Sequence, residues 1–378
     1  MVHWSAQAVL LGAHVAPIPG GGSATELNVV EPMLMVHGEG FGRHLVFNGT
    51  LDLEGLTIPH GVLGLGDWGE GFDDRRHPHT YAHEVMLSAV SANVSVSVGK
   101  GFVPFGSDDP MVRPALRFPV NHHWSQILER AVAIAGAKAG PVIVEAALFN
   151  GDEPERPGQW PRVSNRFGDS WSARMTITPV RGLELEGSRA KVHSPENRPG
   201  AATDQRKWHV GARLDRPVGM GRFYALAEWA RTEEADGFFR FESVLAEAQW
   251  SFGAHRTYYQ FERTDRPEEE RTSDPFRSLR PHLENSILGT TRWSVHTAGY
   301  GVRMRTLAGR IQAEPIVEAS YARVADIGGG LFSSQSLYGR RTLWSLGAGV
   351  RLAAGETHRM GRYGVSAGAG TSMMEHAP

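Results

Sequence analysis

Residues 207–215, KWHVGARLD, decide the fold class of this chain. The apolar residues of this stretch occupy alternate positions: Trp208, Val210, Ala212 and Leu214. The polar residues occupy most of the positions between them: Lys207, His209, Arg213 and Asp215. Successive side chains of a strand point to opposite sides, so this pattern predicts a strand with one apolar and one charged face.

The same alternation recurs from one end of the chain to the other. It is found in SARMTITP (172–179), IQAEPIVEASYAR (311–323) and WSLGAGVRL (344–352). The segments are about a dozen residues long, which is the length that a tilted strand needs to cross a membrane. We expect about 16 of them, because a closed barrel with both chain ends on one side has an even number of strands.

Two kinds of connection alternate between these segments. Short, turn-like connections are predicted at 91–93, 179–182, 217–221, 252–255 and 307–310. Long polar connections are predicted at 58–80, 105–125, 151–166, 194–204, 266–290 and 325–340. Short turns at one end and long loops at the other are typical of an up-and-down meander. We therefore expect one barrel domain over 1–378, with 1–24 as an atypical first strand or a leader and 366–378 as a tail.

Composition excludes several classes of protein. Lys and Arg number 39 and Asp and Glu 41, without the basic surplus that is typical of nucleic-acid binding. Cysteine is absent, which excludes disulfides and thiolate metal sites. No run approaches the roughly 20 apolar residues of a membrane-spanning helix, and 1–17 has no charged n-region of a signal peptide. No H-E-x-x-H motif is present, and we expect neither an enzyme nor a cofactor.

The sequence thus predicts an all-β fold, a single transmembrane antiparallel up-and-down β-barrel of about 16 strands (about 14–18). Aromatic residues towards strand ends, such as Trp208, Tyr321 and Trp344, suit the two membrane interfaces. A soluble array of β-sandwiches is the alternative. In a barrel, the polar faces would line a lumen of mixed charge: Arg174, Lys207, Arg213, Glu228, Glu247, Glu262, Glu314 and Glu318.

One region resembles a known family. VSVGKGFVPFGSDDP (96–110) followed by AALFNGDEPE (146–155) is similar to the phosphate-selective porin O/P group of outer-membrane barrels. The matching positions are Gly99, Lys100, Pro104, Phe105, Gly106, Phe149, Asn150 and Gly151. The resemblance implies a channel in the outer membrane of a Gram-negative-type bacterium, in contact with lipid and lipopolysaccharide and in some relatives a homotrimer. Lysine is scarce and the predicted lumen charge is mixed, which argues against phosphate selectivity.

The long connection 105–125 is the best candidate to fold inward and constrict the lumen. Its basic residues are the constriction candidates: Arg113, Arg117, His122 and His123. Small hydrophilic solutes or ions would then diffuse passively past them. The alternative function is a non-conducting barrel that serves as a surface binding or structural protein. Such a barrel could capture a divalent metal through the loop histidines His77, His79, His122 and His123, because imidazole suits Zn, Cu or Ni.

The stretch DDRRHPHTYAHE (73–84) is predicted to be the place where a long loop re-enters the barrel. Alternation places Tyr81 and His83 on the lipid side and makes Glu84 the first residue that faces the lumen. His83 and Glu84 are therefore not expected to bind one metal ion together.

Overall fold

The structure is a computed structural model that describes residues 1–18, 20–58, 80–107, 113–152, 154, 157–161, 163–194, 203–269, 287–305, 311–355 and 360–367. Its strand segments are β1 (Val2–Ala16), β2 (Ala24–Gly40), β3 (Leu45–Asp52), β4 (Ala82–Val90), β5 (Val94–Gly101), β6 (Arg130–Ala139), β7 (Val142–Phe149), β8 (Ser170–Val180), β9 (Leu183–Val192), β10 (Gln205–Val218), β11 (Gly221–Glu234), β12 (Phe239–Phe252), β13 (His255–Glu269), β14 (Ile287–Val302), β15 (Met304–Arg305), β16 (Ile311–Asp326) and β17 (Thr342–Gly355).

Helical structure in the described ranges is confined to short turns outside the strands. The α-helical turns are Glu54–Thr57, His122–Ser125, Val163–Arg166 and Ser334–Tyr338, and the 3-10 turns are Phe41–Arg43, Ala235–Gly237 and Gly364–Ser366. Within the residues that the structure describes, none of the helices has the length and apolar character needed to cross a membrane.

The sheet closes on itself as a barrel. Each strand pairs antiparallel with the next, and β1 also pairs with β17, from Ser5 opposite Gly355 to Ala16 opposite Trp344. Both β14 and β15 pair with β16 and are separated only by Arg303, so they form one interrupted strand. The 17 segments therefore make a barrel of 16 strands, which confirms the predicted fold class and strand number. The segment 1–24 contributes β1, the strand that closes the ring.

The two ends of the barrel differ in their connections. One end, here called the turn end, carries the connections 41–44, 91–93, 140–141, 181–182, 219–220 and 253–254. At the other end, here called the loop end, the long connections are 53–81, 102–129, 150–169, 193–204, 270–286 and 327–341, and the short ones are 17–23 and 235–238. The start of β1 and the end of β17 both lie at the turn end, because the number of strands is even. The predicted turn at 307–310 lies outside the described residues.

The side chains of the strands alternate between the interior and the outer surface. On β10, Lys207 and His209 are buried inside, whereas Val210 is 53% exposed on the outside. Exposed apolar side chains cover the outside on other strands too, among them Leu10, Val96, Val144 and Leu346. An apolar outer belt around a polar interior is the arrangement of a barrel that faces lipid.

The prediction that His83 faces lipid is wrong. Thr50 lies opposite Glu84 and Leu51 opposite Ala82, so His83 is the extra residue of a β-bulge. The bulge turns its side chain inward, where His83 is fully buried and its Nδ1 lies 2.7 Å from Oε1 of Glu129. Glu84 faces the interior as expected and accepts a hydrogen bond of 2.9 Å from the Thr50 hydroxyl. Strict alternation fails here because the bulge inserts one extra residue into β4.

Candidate functional site

The long connection between β5 and β6 folds into the barrel. Residues 102–129, here called the inward loop, are almost entirely buried in their described parts, 102–107 and 113–129. Phe105 and Phe118 pack with Met86 and Phe149 of the wall in one apolar cluster. Leu116 packs in a second cluster, against wall residues that include Val9 and Ile316. A purely polar loop would stay in solvent. The apolar side chains of this loop are removed from water when it enters the interior, which explains its position.

The inward loop crosses the lumen to the opposite wall. The backbone N–H of Asn121 donates to Oε1 of Glu262 on β13 at 2.7 Å. The Thr264 hydroxyl donates to the same oxygen at 2.8 Å, which fixes the carboxylate. Strand β13 is eight strands from β5 (13 − 5 = 8) in a ring of 16, which is halfway around the barrel. The inward loop therefore crosses the lumen from one wall to the opposite wall and does not stay along one wall.

A second wall carboxylate, Glu318 on β16, holds the middle of the inward loop. It accepts hydrogen bonds from the backbone N–H groups of Leu116 at 2.8 Å and Arg117 at 3.1 Å. The Tyr258 hydroxyl donates to it at 2.7 Å. The guanidinium of Arg117 lies 3.4 Å from Glu262. Burial lowers the pKa of Arg117, and the nearby Glu262 and Glu318 oppose that shift.

Arg113 ties the loop to the wall formed by β11 and β12. Its Nη1 lies 3.4 Å from Glu228 and 3.5 Å from Glu247, and all three side chains are buried. Its Nη2 donates to the Ser107 hydroxyl at 2.7 Å. His209 lies 3.1 Å from Glu228 as well. The predicted constriction residue Arg113 is thus held by one short hydrogen bond to Ser107 and by two longer contacts with buried carboxylates.

The two loop histidines lie within the inward loop. His122 Nδ1 is 2.6 Å from the carbonyl oxygen of Pro119, and its ring is 4.0 Å from that of His123 between centroids. The Lys207 ammonium donates to the backbone carbonyl of His123 at 2.8 Å. Among the described residues, no group of three or more His, Asp or Glu side chains could hold a metal ion. His77 and His79 lie outside the described residues, so the metal site stays a prediction.

The other predicted lumen residues also face the interior, and they form ion pairs with one another or with their neighbours. Arg174 donates to Glu145 at 2.8 Å and to the Gly106 carbonyl at 3.2 Å. Arg213 donates to Glu184 at 2.8 Å. Glu314 lies 2.7 Å from Arg256. The charged side chains of the wall therefore form ion pairs with one another and hydrogen bonds to the inward loop.

The glycines of the family-like motif allow the base of the loop to pack closely. Gly106 has a φ of +69°, and a Cβ there would lie 1.5 Å from the carbonyl oxygen of Ser125. Gly99 has a φ of +150°, and a Cβ there would lie 2.0 Å from the carbonyl oxygen of Val85. Only glycine fits such positions. Asn150 of the motif accepts a hydrogen bond of 2.6 Å from the backbone N–H of Ala131. The motif residues thus stabilise the two ends of the inward loop.

A small cavity of about 10 Å³, with room for about one water molecule, lies between the inward loop and the wall formed by β9, β10 and β11. Its charged side chains come from three different parts of the chain: Arg113, Glu184, Glu186, Arg213 and Arg362. Tyr224 and Leu226 line the wall of β11. The charged side chains around this cavity mark the candidate solute path.

Sequence reasoning missed several of these residues. Glu184 and Glu186 lie in LELEGSRAKV (183–192), where the alternation could have placed them inside. Glu145 lies in VIVEAALF (142–149) and could have been found in the same way. Arg362 could not, because it follows the last strand and no periodic pattern assigns it a face.

No protein-family profile matches the sequence, and no curated protein matches it. Solved structures do resemble the barrel. The anion-selective porin from Comamonas acidovorans has a TM-score of 0.55 at 13% identity, over 94% of this chain and 99% of that chain. OmpT, an outer membrane protein of Vibrio cholerae in its trimer form, has a TM-score of 0.51 at 10% identity, over 93% and 99%. At these identities the likeness establishes the barrel fold alone.

Proposed function

We propose that this chain is a porin-like channel of the outer membrane of a Gram-negative-type bacterium, through which small hydrophilic solutes or ions diffuse passively. The observation that carries the proposal is a closed 16-strand barrel with a charged interior, narrowed by a loop that crosses it. Barrels of 16–18 strands are wide enough to leave an aqueous channel beyond their own side chains. The apolar outer belt suits lipid, and the inward loop gives the lumen a size limit.

We infer that the solute path runs between the inward loop and the wall formed by β9, β10 and β11. A solute that passes there meets guanidinium and carboxylate groups, so its lost hydration is replaced by polar contacts of either sign. Arg113 faces the cavity, whereas Arg117 lies in the buried contact of the loop with Glu262. We infer that Arg113 acts on the solute and that Arg117 acts by holding the loop in place. No step in this passage requires a catalytic group.

Selectivity is proposed from the charges of this chain and not from those of its structural neighbours. Anion selectivity belongs to the Comamonas protein by its name. Here the cavity carries both signs, and the basic residues around it are already paired with carboxylates. We therefore infer a weak preference between small ions and no specific site for phosphate, despite the motif at 96–110.

The outer surface suits lipid and lipopolysaccharide as partners. Near the loop end, Arg189 and Arg231 lie 5.7 and 5.5 Å from the ring of Trp208, which faces outward on β10. An indole at the interface with two guanidinium groups beside it suits the phosphates of lipopolysaccharide. A homotrimer is proposed by resemblance, and OmpT of Vibrio cholerae was solved as a trimer.

Planar-bilayer recording of the purified protein tests the proposed channel. We expect stepwise, ohmic conductance after addition of the protein at low concentration. A complete absence of conductance would favour the non-conducting barrel. The structural observation that supports this alternative is the densely filled interior. In that case, metal analysis of untagged protein separates a metal-capturing surface protein from a structural one.

A further inference from the structure

The chain returns into the barrel after its last strand. Strand β17 ends at Gly355, and residues 360–367, here called the lumen insert, lie in the interior at the turn end. Met360, Arg362, Tyr363 and Ser366 are each at most 2% exposed. The insert contacts β8, although β17 occupies position 16 of the ring and lies eight strands from β8 (16 − 8 = 8). The insert therefore lies across the interior from the strand that precedes it.

Specific contacts dock the lumen insert on the wall. The backbone N–H of Val365 donates to the Ser95 hydroxyl at 3.0 Å. Gly364 has a φ of +57°, and a Cβ there would lie 2.2 Å from the Ser95 oxygen, so only glycine allows this approach. Ser95 lies beside the turn 91–93, which places the contact at the turn end.

The insert also supports the base of the inward loop. The Tyr363 hydroxyl accepts a hydrogen bond of 3.1 Å from the backbone N–H of Phe102, the first residue of that loop. Tyr363 and Met360 pack in the same apolar cluster as Phe102 and Phe105. The two elements thus form one continuous obstruction, with the inward loop on the loop side and the insert on the turn side.

Arg362 extends from the insert to the edge of the cavity. It donates to Glu184 at 3.0 Å, to Glu186 at 2.5 Å and to the Thr176 hydroxyl at 3.1 Å. Glu184 is shared, because its other oxygen accepts from Arg213 at 2.8 Å. Arg362 therefore places a positive charge beside Glu184 and Glu186 at the edge of the cavity.

We propose that the lumen insert is a second constriction at the turn end, and that Arg362 is a specificity-determining residue of the solute path. The inference rests on the proposed channel function and adds to it an element that the barrel strands do not contain. An ion on the solute path passes both the inward loop and Arg362. Without Arg362 one positive charge is lost and Glu184 and Glu186 lose a partner, so the permeability shifts towards cations.

The test is single-channel recording with a potassium chloride gradient on the full chain and three variants. Arg362→Gln removes the charge, Arg362→Lys keeps it, and Gly364→Ala displaces the insert without changing any charge. Arg340→Gln is the matched control, since Arg340 is exposed in the connection between β16 and β17. Heat-dependent mobility in gel electrophoresis checks that each barrel has formed.

We expect Arg362→Gln to raise the ratio of potassium to chloride permeability about twofold at low salt, because one charge several ångströms from an ion in water is worth about RT. Arg362→Lys and Arg340→Gln should match the wild type, and Gly364→Ala should raise the conductance. Equal reversal potential and conductance in Arg362→Gln and the control, in a wild type that conducts, overturn the inference alone. If the wild type is silent and only Gly364→Ala or Arg362→Gln conducts, the result supports the lumen insert as a constriction and overturns the proposal that the wild type is an open channel. Silence of every variant overturns both.

Discussion

The backbone N–H of Leu116 in the inward loop donates to Oε2 of Glu318 on β16 at 2.8 Å. One wall carboxylate thus holds the middle of a loop that starts far around the ring, and it also binds the N–H of Arg117 and the hydroxyl of Tyr258. The position of the proposed constriction depends on a few such contacts, which can be removed one at a time.

Replacement of Glu318 should loosen the inward loop. In Glu318→Ala the two backbone N–H groups lose their acceptor, which costs about 1–3 kcal/mol for each buried group left unpaired. Glu318→Gln keeps one acceptor oxygen and should have a smaller effect. We expect higher conductance and more current noise in the order Ala, Gln, wild type. Glu242→Ala, on the outer face of β12, is the control, and an Ala variant with the noise of that control contradicts the anchoring role.

Removal of Arg113 should destabilise the protein because it leaves Glu228 and Glu247 buried without this cation. Breaking a buried pair by removing one partner costs about 3–5 kcal/mol. Thermal unfolding in detergent should show a lower midpoint for Arg113→Ala. The double variant Arg113→Ala/Glu247→Gln should recover part of the loss, and no recovery would argue that packing and not charge is responsible.

Gly106→Ala should force the inward loop away from Ser125, because the added Cβ would lie 1.5 Å from a backbone oxygen. The strands do not depend on this contact, so the barrel should still form. Gly140→Ala is a matched control, since Gly140 also has a positive φ but has no atom near its Cβ position. We expect raised conductance in Gly106→Ala only. Equal behaviour of the two variants would mean that the loop tolerates the displacement.

His83→Ala should weaken the junction between the β4 bulge and the inward loop. Glu129 loses a contact of 2.7 Å and keeps those from the backbone N–H and the hydroxyl of Thr80, so the cost should be about 1–3 kcal/mol. The unfolding midpoint in detergent measures it. His14→Ala, on the outer surface, is the control, and an equal shift in both would contradict the inward position of His83.

Acid should loosen the connection between β9 and β10 through Asp204. Burial opposes the shift, but hydrogen bonds from Lys191 and His193 hold the pKa of Asp204 below its ordinary value of 3.8. A lowered pKa stabilises the folded form above the ordinary value, and the stabilisation is lost as the pH falls through the lowered one. Hydrogen exchange at 190–194, corrected for its intrinsic pH dependence, should accelerate below about pH 4 in the wild type. Asp204→Asn should show no such change.

The alternation of residues determined the barrel by itself. Stretches such as 207–215 and 344–352 are long enough to assign a face to nearly every residue, and that was enough to predict 16 strands and an interior that holds Arg174, Lys207 and Glu318. This works because the two faces of a strand are fixed by local geometry, which the neighbouring residues along the chain already specify.

Only the tertiary structure decided what these inward residues contact. Glu262 and Glu318 hold the inward loop across half the ring, His83 turns inward at a bulge, and Arg362 reaches Glu184 from beyond the last strand. Each of these contacts joins residues far apart in sequence and depends on barrel closure, strand register or the path of a segment without periodicity. Local sequence carries no signal for such distances, because they are set by how the closed ring brings its opposite walls together.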